Sequence, residues 1–151
     1  PVTPSMLRWL REFLRERSGL CPADAAAVWL ALVFGFFFML RASEFLRTDA
    51  TWSAERVVRG EDIEGRGSNN GPVDRFKDAE EIVLHITSSK TDQYNVGCVR
   101  NQYRTGVERC PVLALEEYGT HYPDWLHGSG RFQWLLSTWL PLLGAPQGPY
   151  W

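Results

Sequence analysis

The sequence predicts an α+β domain: mainly a helical bundle around one central apolar helix, with a small antiparallel β-sheet on one side. Three observations carry this. An unbroken apolar run, Ala25 to Leu40, stops abruptly at Arg41-Ala42-Ser43-Glu44. Residues 80–89 alternate, with Ile82, Leu84 and Ile86 on one face and Val83, His85 and Thr87 on the other, which is the period of a half-buried strand. A second apolar segment opens at Cys110-Pro111, and proline is suited to the first turn of a helix. With 151 residues and 44% hydrophobic content, residues 1–151 are expected to form a single domain with a real core.

In chain order, residues 5–17 predict a first helix with Ser5 as N-cap. Met6, Leu7, Leu10, Phe13 and Leu14 share one face, and Arg8, Arg11, Arg15 and Arg17 lie largely on the other. That basic face reads as solvated, or alternatively as a face for a nucleic-acid backbone. Ser18-Gly19-Leu20-Cys21 breaks the helix, and Pro22 and Asp24 start the next one, which runs to about Leu40 with a short continuation over 43–46. The 16 apolar residues 25–40 fall short of the roughly 20 needed to span a membrane, so the run reads as a core helix. Trp52, Val57, Val58 and Ile63 suggest one or two short strands. The Gly/Asn-rich stretch 64–74 suggests an exposed loop within a hairpin. A return strand is expected over 96–103 after a polar turn at Lys90-Thr91-Asp92-Gln93. The 110–118 helix should be stopped by Gly119 and Pro123, and a further helix is possible over 131–140. Asp49 and Asp62 read as turn or capping residues.

Composition excludes several classes. The net charge is −2, so any nucleic-acid contact must rest on local charge. Cys21, Cys98 and Cys110 form no CxxC pair and have no zinc spacing with the three histidines, so they read as reduced thiols and no metal is expected. No Gly-rich phosphate loop and no cofactor motif is present. No signal peptide is evident.

Two pieces carry chemistry together. One is the apolar helix ending Leu40-Arg41-Ala42-Ser43-Glu44-Phe45-Leu46. The other is Ser88-Ser89-Lys90-Thr91-Asp92-Gln93 at a hairpin tip, followed by Arg100. With the Cys110-Pro-Val-Leu-Ala-Leu helix, they resemble the catalytic domain of the tyrosine recombinases (the phage integrase family), especially the crypton and DIRS-like types of eukaryotic mobile elements. The resemblance covers roughly residues 5–120. It implies that Arg41 and Lys90 are catalytic, that Glu44 supports the arginine, and that the partner is DNA, with self-association possible on DNA. It implies a nuclear location for a eukaryotic mobile element and a cytoplasmic one otherwise. The chemistry suits the residue types. A guanidinium binds two phosphate oxygens and stays charged, and a lysine can lend a proton to a departing oxygen. Arg100 and Arg104 are expected as strand-edge charges or general phosphate contacts.

The family's second cluster, His-x-x-Arg followed by His or Trp and then the nucleophilic Tyr, has no counterpart here. His121 precedes Tyr-Pro-Asp, His127 precedes Gly-Ser-Gly, and Tyr150 lies in Gly-Pro-Tyr-Trp, which is not a nucleophile context. The chain therefore reads as the first part of a recombinase catalytic domain, truncated or decayed beyond it, and not competent to cleave DNA alone. The alternative is a non-catalytic DNA- or protein-binding remnant of the same fold.

Overall fold

The structure, a computed structural model, describes residues 2–41, 58–87 and 96–123. Among them are helices α1 (Pro4–Glu16), α2 (Pro22–Phe37) and α3 (Pro111–His121), and strands β1 (Ile63–Arg66), β2 (Glu81–Ile86) and β3 (Cys98–Tyr103). The domain is mixed α and β, as the patterning predicts. The strands at 52–57, the helix continuation at 43–46, the Lys90 turn and the 131–140 helix lie outside the described residues.

Helix α1 starts two residues earlier than the sequence reading. Thr3, not Ser5, is the N-cap: its side chain accepts the Met6 N–H at 3.3 Å, and Pro4 takes the first helical position, where no donor is needed. Leu7 and Leu14 are buried as expected, whereas Met6 and Trp9 are exposed. The basic face also needs correcting. Arg11 is only 5% exposed, because it lies four residues after Leu7 and three before Leu14, on the core stripe. Its guanidinium sits 5.0 Å from the Trp29 ring centroid and donates to Glu117 of α3 at 2.5 Å, while Glu108 lies 3.7 Å from its Nε. Arg15, on the solvent side, also pairs with Glu108, at 2.7 Å.

Helix α2 begins at Pro22 with Asp24 in its first turn, as read from sequence. It packs against both α1 and α3, which is why its apolar residues are not confined to one stripe. Ala26, Trp29, Leu30, Val33 and Phe34 are essentially inaccessible, and the Phe34 ring meets Phe38 at 4.9 Å. Each such large side chain contributes about 1.5–3 kcal/mol by burial. No helix among the described residues is long and apolar enough to cross a membrane.

The sheet has the order β1-β2-β3, antiparallel throughout. Central β2 is more buried than a half-buried strand: Ile82, Leu84 and Ile86 face the helices, Glu81 and Val83 are covered on the other face, and only His85 is exposed. The 64–74 stretch is not all loop. Residues 64–66 belong to β1, Arg66 bridges Pro72, and the Val73 N–H donates to Gly65 O at 3.0 Å. The turn itself is limited to 67–71, closed by Gly67 N–H to Gly71 O at 2.9 Å, with Asn70 left-handed at φ 58°. Asp62 does cap: its Oδ2 accepts the Arg59 N–H at 2.7 Å across the short 3-10 turn Gly60–Asp62.

Helix α3 starts after Cys110 at Pro111, as expected, but runs through Gly119 to His121. A single glycine weakens a helix by about 1 kcal/mol without stopping it, whereas Pro123 forces the residue before it out of the helical region. Burial pushes the Cys110 thiol up, but the backbone N–H groups of Thr105, Leu113 and Val112 outweigh it and bring the thiol below its usual range.

Gly97, just before β3, has φ +70°, and a Cβ there would lie 2.5 Å from the Ile86 carbonyl oxygen. Gly97→Ala is therefore expected to cost about 2 kcal/mol of stability, from left-handed strain and the displaced backbone. Urea unfolding checks this; an unchanged midpoint would show that the β2–β3 junction can relax.

Candidate nucleic-acid interface

The end of α2 presents Arg41. Helical hydrogen bonding ends with the Phe38 N–H on Phe34 O at 2.9 Å. Met39 then turns left-handed, at φ 50°, and the Leu40 N–H reaches back to Gly35 O at 3.1 Å. This is the bond of a Schellman ending, with methionine where glycine is usual. Leu40 is buried again, at 9% exposure, and Arg41 follows it exposed. The helix thus ends at Phe37 rather than near Leu40. Arg41 is not an in-line extension of α2; it stands beyond a chain reversal whose last residue is anchored in the core.

A helix end leaves carbonyls without partners, and a cation nearby complements the dipole. That part is taken by β3. Arg100 Nη1 donates to Phe38 O, and Gln102 Nε2 donates to Phe37 O at 3.3 Å. The two alternate side chains of β3 that face the helices hold the end of α2 against the sheet. Arg100 is thereby brought to the helix end that leads to Arg41.

Arg104 points elsewhere. Its Nε donates to Ala79 O at 2.7 Å, its Nη2 to Phe76 O at 2.9 Å and to Lys77 O at 3.2 Å, and its Nη1 to the Glu116 carboxylate at 2.9 Å. It joins the short 3-10 turn Phe76–Asp78 to α3, and the structure does not bring it to Arg100's helix-end contact. Lys90 and Glu44 lie outside the described residues, as does Tyr150.

The outer face of the sheet carries a separate polar group. Glu64 accepts from Arg66 Nε at 2.8 Å and lies 3.6 Å from His85 Nε2. The Arg66 hydrogen bond is the chief cause of a Glu64 carboxyl held below its usual range; slight desolvation opposes it, and the Arg66 and His85 charges assist. Glu81, on the same face, is buried and accepts from Asn101 Nδ2.

Sequence reasoning missed Arg11, Gln102, Glu116 and Glu117 as organising residues. For Arg11 a signal existed in its spacing from Leu7 and Leu14. Gln102 and Arg100 share β3's inward alternation with Arg104 outside it in role, but nothing local names their acceptors. Among the described residues, no group of three or more His, Cys, Asp or Glu side chains could hold a metal ion. No protein-family model matches this chain, and no match was found among curated proteins or solved structures.

Proposed function

We propose that this chain is the first part of a tyrosine-recombinase-like catalytic domain that binds DNA through phosphates and does not cleave it alone. In this reading Arg41 contacts the phosphate oxygens, Lys90 serves the departing oxygen, and Glu44 orients the arginine. The observation that carries it is the tie between α2 and β3. Arg41 follows a core-anchored helix end, and that end is held by Arg100 and Gln102 of the return strand in the hairpin pair whose intervening residues include Lys90. A cation placed after a rigid, buried helix loses little freedom on meeting a phosphate, which favours binding.

Cleavage would need groups that these residues do not include: no His-x-x-Arg occurs, and Tyr150 lacks a nucleophile's neighbours. Arg100 and Arg104 donate to acceptors of their own chain, so the general phosphate contacts expected of them are not needed to explain their presence.

The test is fluorescence anisotropy with a labelled DNA duplex across a salt series. Arg41→Ala and Lys90→Ala should each weaken binding about tenfold and lower the slope of log affinity against log salt by about 1. A nicking assay on the parent chain should give no covalent adduct. Affinities and slopes unchanged in both variants would end the phosphate-contact reading, and robust covalent attachment would end the claim that the chain cannot cleave.

A further inference from the structure

The two edges of the sheet are treated differently. The outer edge of β1 is closed by its own chain, through the Arg66–Pro72 bridge and the Val73 N–H on Gly65 O. Among the described residues, nothing closes the outer edge of β3 in this way. Because the Arg104 N–H donates to Glu80 O at 2.7 Å, the alternating ladder directs the backbone groups of Gln102, Arg100 and Cys98 toward β2. Those of Val99, Asn101 and Tyr103 point away from it. Among the described residues no strand lies on that side. Within β3 there is no proline and no lysine to blunt an edge, and its one arginine turns inward to α2. Val99 and Tyr103 are 61% and 62% exposed on the outer face.

We infer that β3 is a self-association edge, pairing antiparallel with β3 of a second copy of this chain about a two-fold axis through Asn101. The register follows from charge and shape. Only pairings that oppose outward-directed residues can form hydrogen bonds between the edges. Centring on Arg100 would set Arg100 against Arg100 of the second copy, a like-charge pair directly opposite, which is unfavourable. Centring on Asn101 sets Arg100 against Gln102 and Val99 against Tyr103, the second being an aromatic–β-branched pair of the kind that stabilises sheets. The Asn101 side chain is already turned onto its own sheet, bonded to Glu81 and lying 3.3 Å from the Tyr103 hydroxyl, so two copies of it do not collide at the axis. Tyr103 O takes a weak thiol contact from Cys110 at 3.7 Å, and a carbonyl has a second lone pair for a partner strand. The contact is isologous and closes at two copies, joining the two sheets into one rather than building a fibre. It does not depend on the DNA reading above.

Sedimentation velocity of the full chain over a concentration series should show a monomer–dimer equilibrium without DNA. Asn101→Pro removes an outward N–H, together with the side-chain bond to Glu81, and should raise the dimer dissociation constant at least tenfold. Val99→Lys, which keeps the backbone unchanged, should do the same, so a folding defect in the proline variant leaves the test intact. Asn101→Cys should form a reducible cross-linked dimer on mild oxidation much faster than Val99→Cys, because only position 101 faces its own copy. A chain that stays monomeric at high micromolar concentration overturns the inference. So does a dimer that both Asn101→Pro and Val99→Lys leave unchanged, or equal cross-linking at 99 and 101.

Discussion

Trp29→Ala is expected to lower the unfolding free energy by about 3–5 kcal/mol, the range for truncating a large buried aromatic. Trp29 is 1% exposed at the seam where α1 and α3 meet α2, and its ring lies beneath the Arg11 guanidinium. The substitution opens a cavity and also removes the surface on which a buried charge rests, so Arg11 keeps its Glu117 contact but loses its apolar support. Trp29→Phe keeps a ring there and should cost about half as much. For a domain whose total stability is of order 5–15 kcal/mol, the alanine variant should sit near the threshold of folding. Urea denaturation followed by tryptophan fluorescence and by circular dichroism measures it. A loss below about 1 kcal/mol would mean that α2 is not packed against α1 and α3 as described.

Arg104→Ala is expected to cost about 2–4 kcal/mol, because one guanidinium satisfies three backbone carbonyls and a carboxylate. The side chain is 20% exposed and Glu116 34%, so the ion pair itself contributes modestly. Most of the loss comes from the Ala79 and Phe76 carbonyls. Arg104→Lys should recover less than half, since an ammonium cannot span acceptors laid out for a planar fork. The same variants separate the two roles open to Arg104. A structural arginine shifts the urea midpoint and leaves the salt slope of DNA binding alone. A phosphate contact would lower the slope and leave the midpoint near its starting value.

These residues mark how far the sequence could be read. The start of α2 at Pro22 and Asp24, the start of α3 at Pro111 and the alternation of β2 were legible, because each rests on neighbours within a few positions. The burial of Arg11 was legible in principle from its spacing, but charge placed it on the wrong face. The ends were less legible. Helix α2 stops three residues before Leu40 because the chain reverses at Met39, a position where nothing local demands a left-handed turn. Within the candidate site, Arg41 and Arg100 can be followed to the end of α2. Lys90 and Glu44, which the resemblance pairs with Arg41, fall outside the described residues.

By itself the sequence determined the fold class, the identity of the core helix, the central strand and the absence of a His-x-x-Arg motif. All of these are written in local periodicity, in proline placement or in the plain order of residues. Only the tertiary structure decided which charges serve the fold. Arg11 meets Glu117 across 106 positions, and Arg100 meets Phe38 O across 62. The physical reason is that a charged side chain has no preferred partner until packing removes water from around it. The nearest acceptor is then set by which helix lies against which strand. Arg100 became the cap of α2 by this route, and Arg104 the link between the 76–78 turn and α3. For the same reason β3 has, among the described residues, no strand on its outer edge, whereas the Gly/Asn-rich turn folded back on β1 and closed that edge.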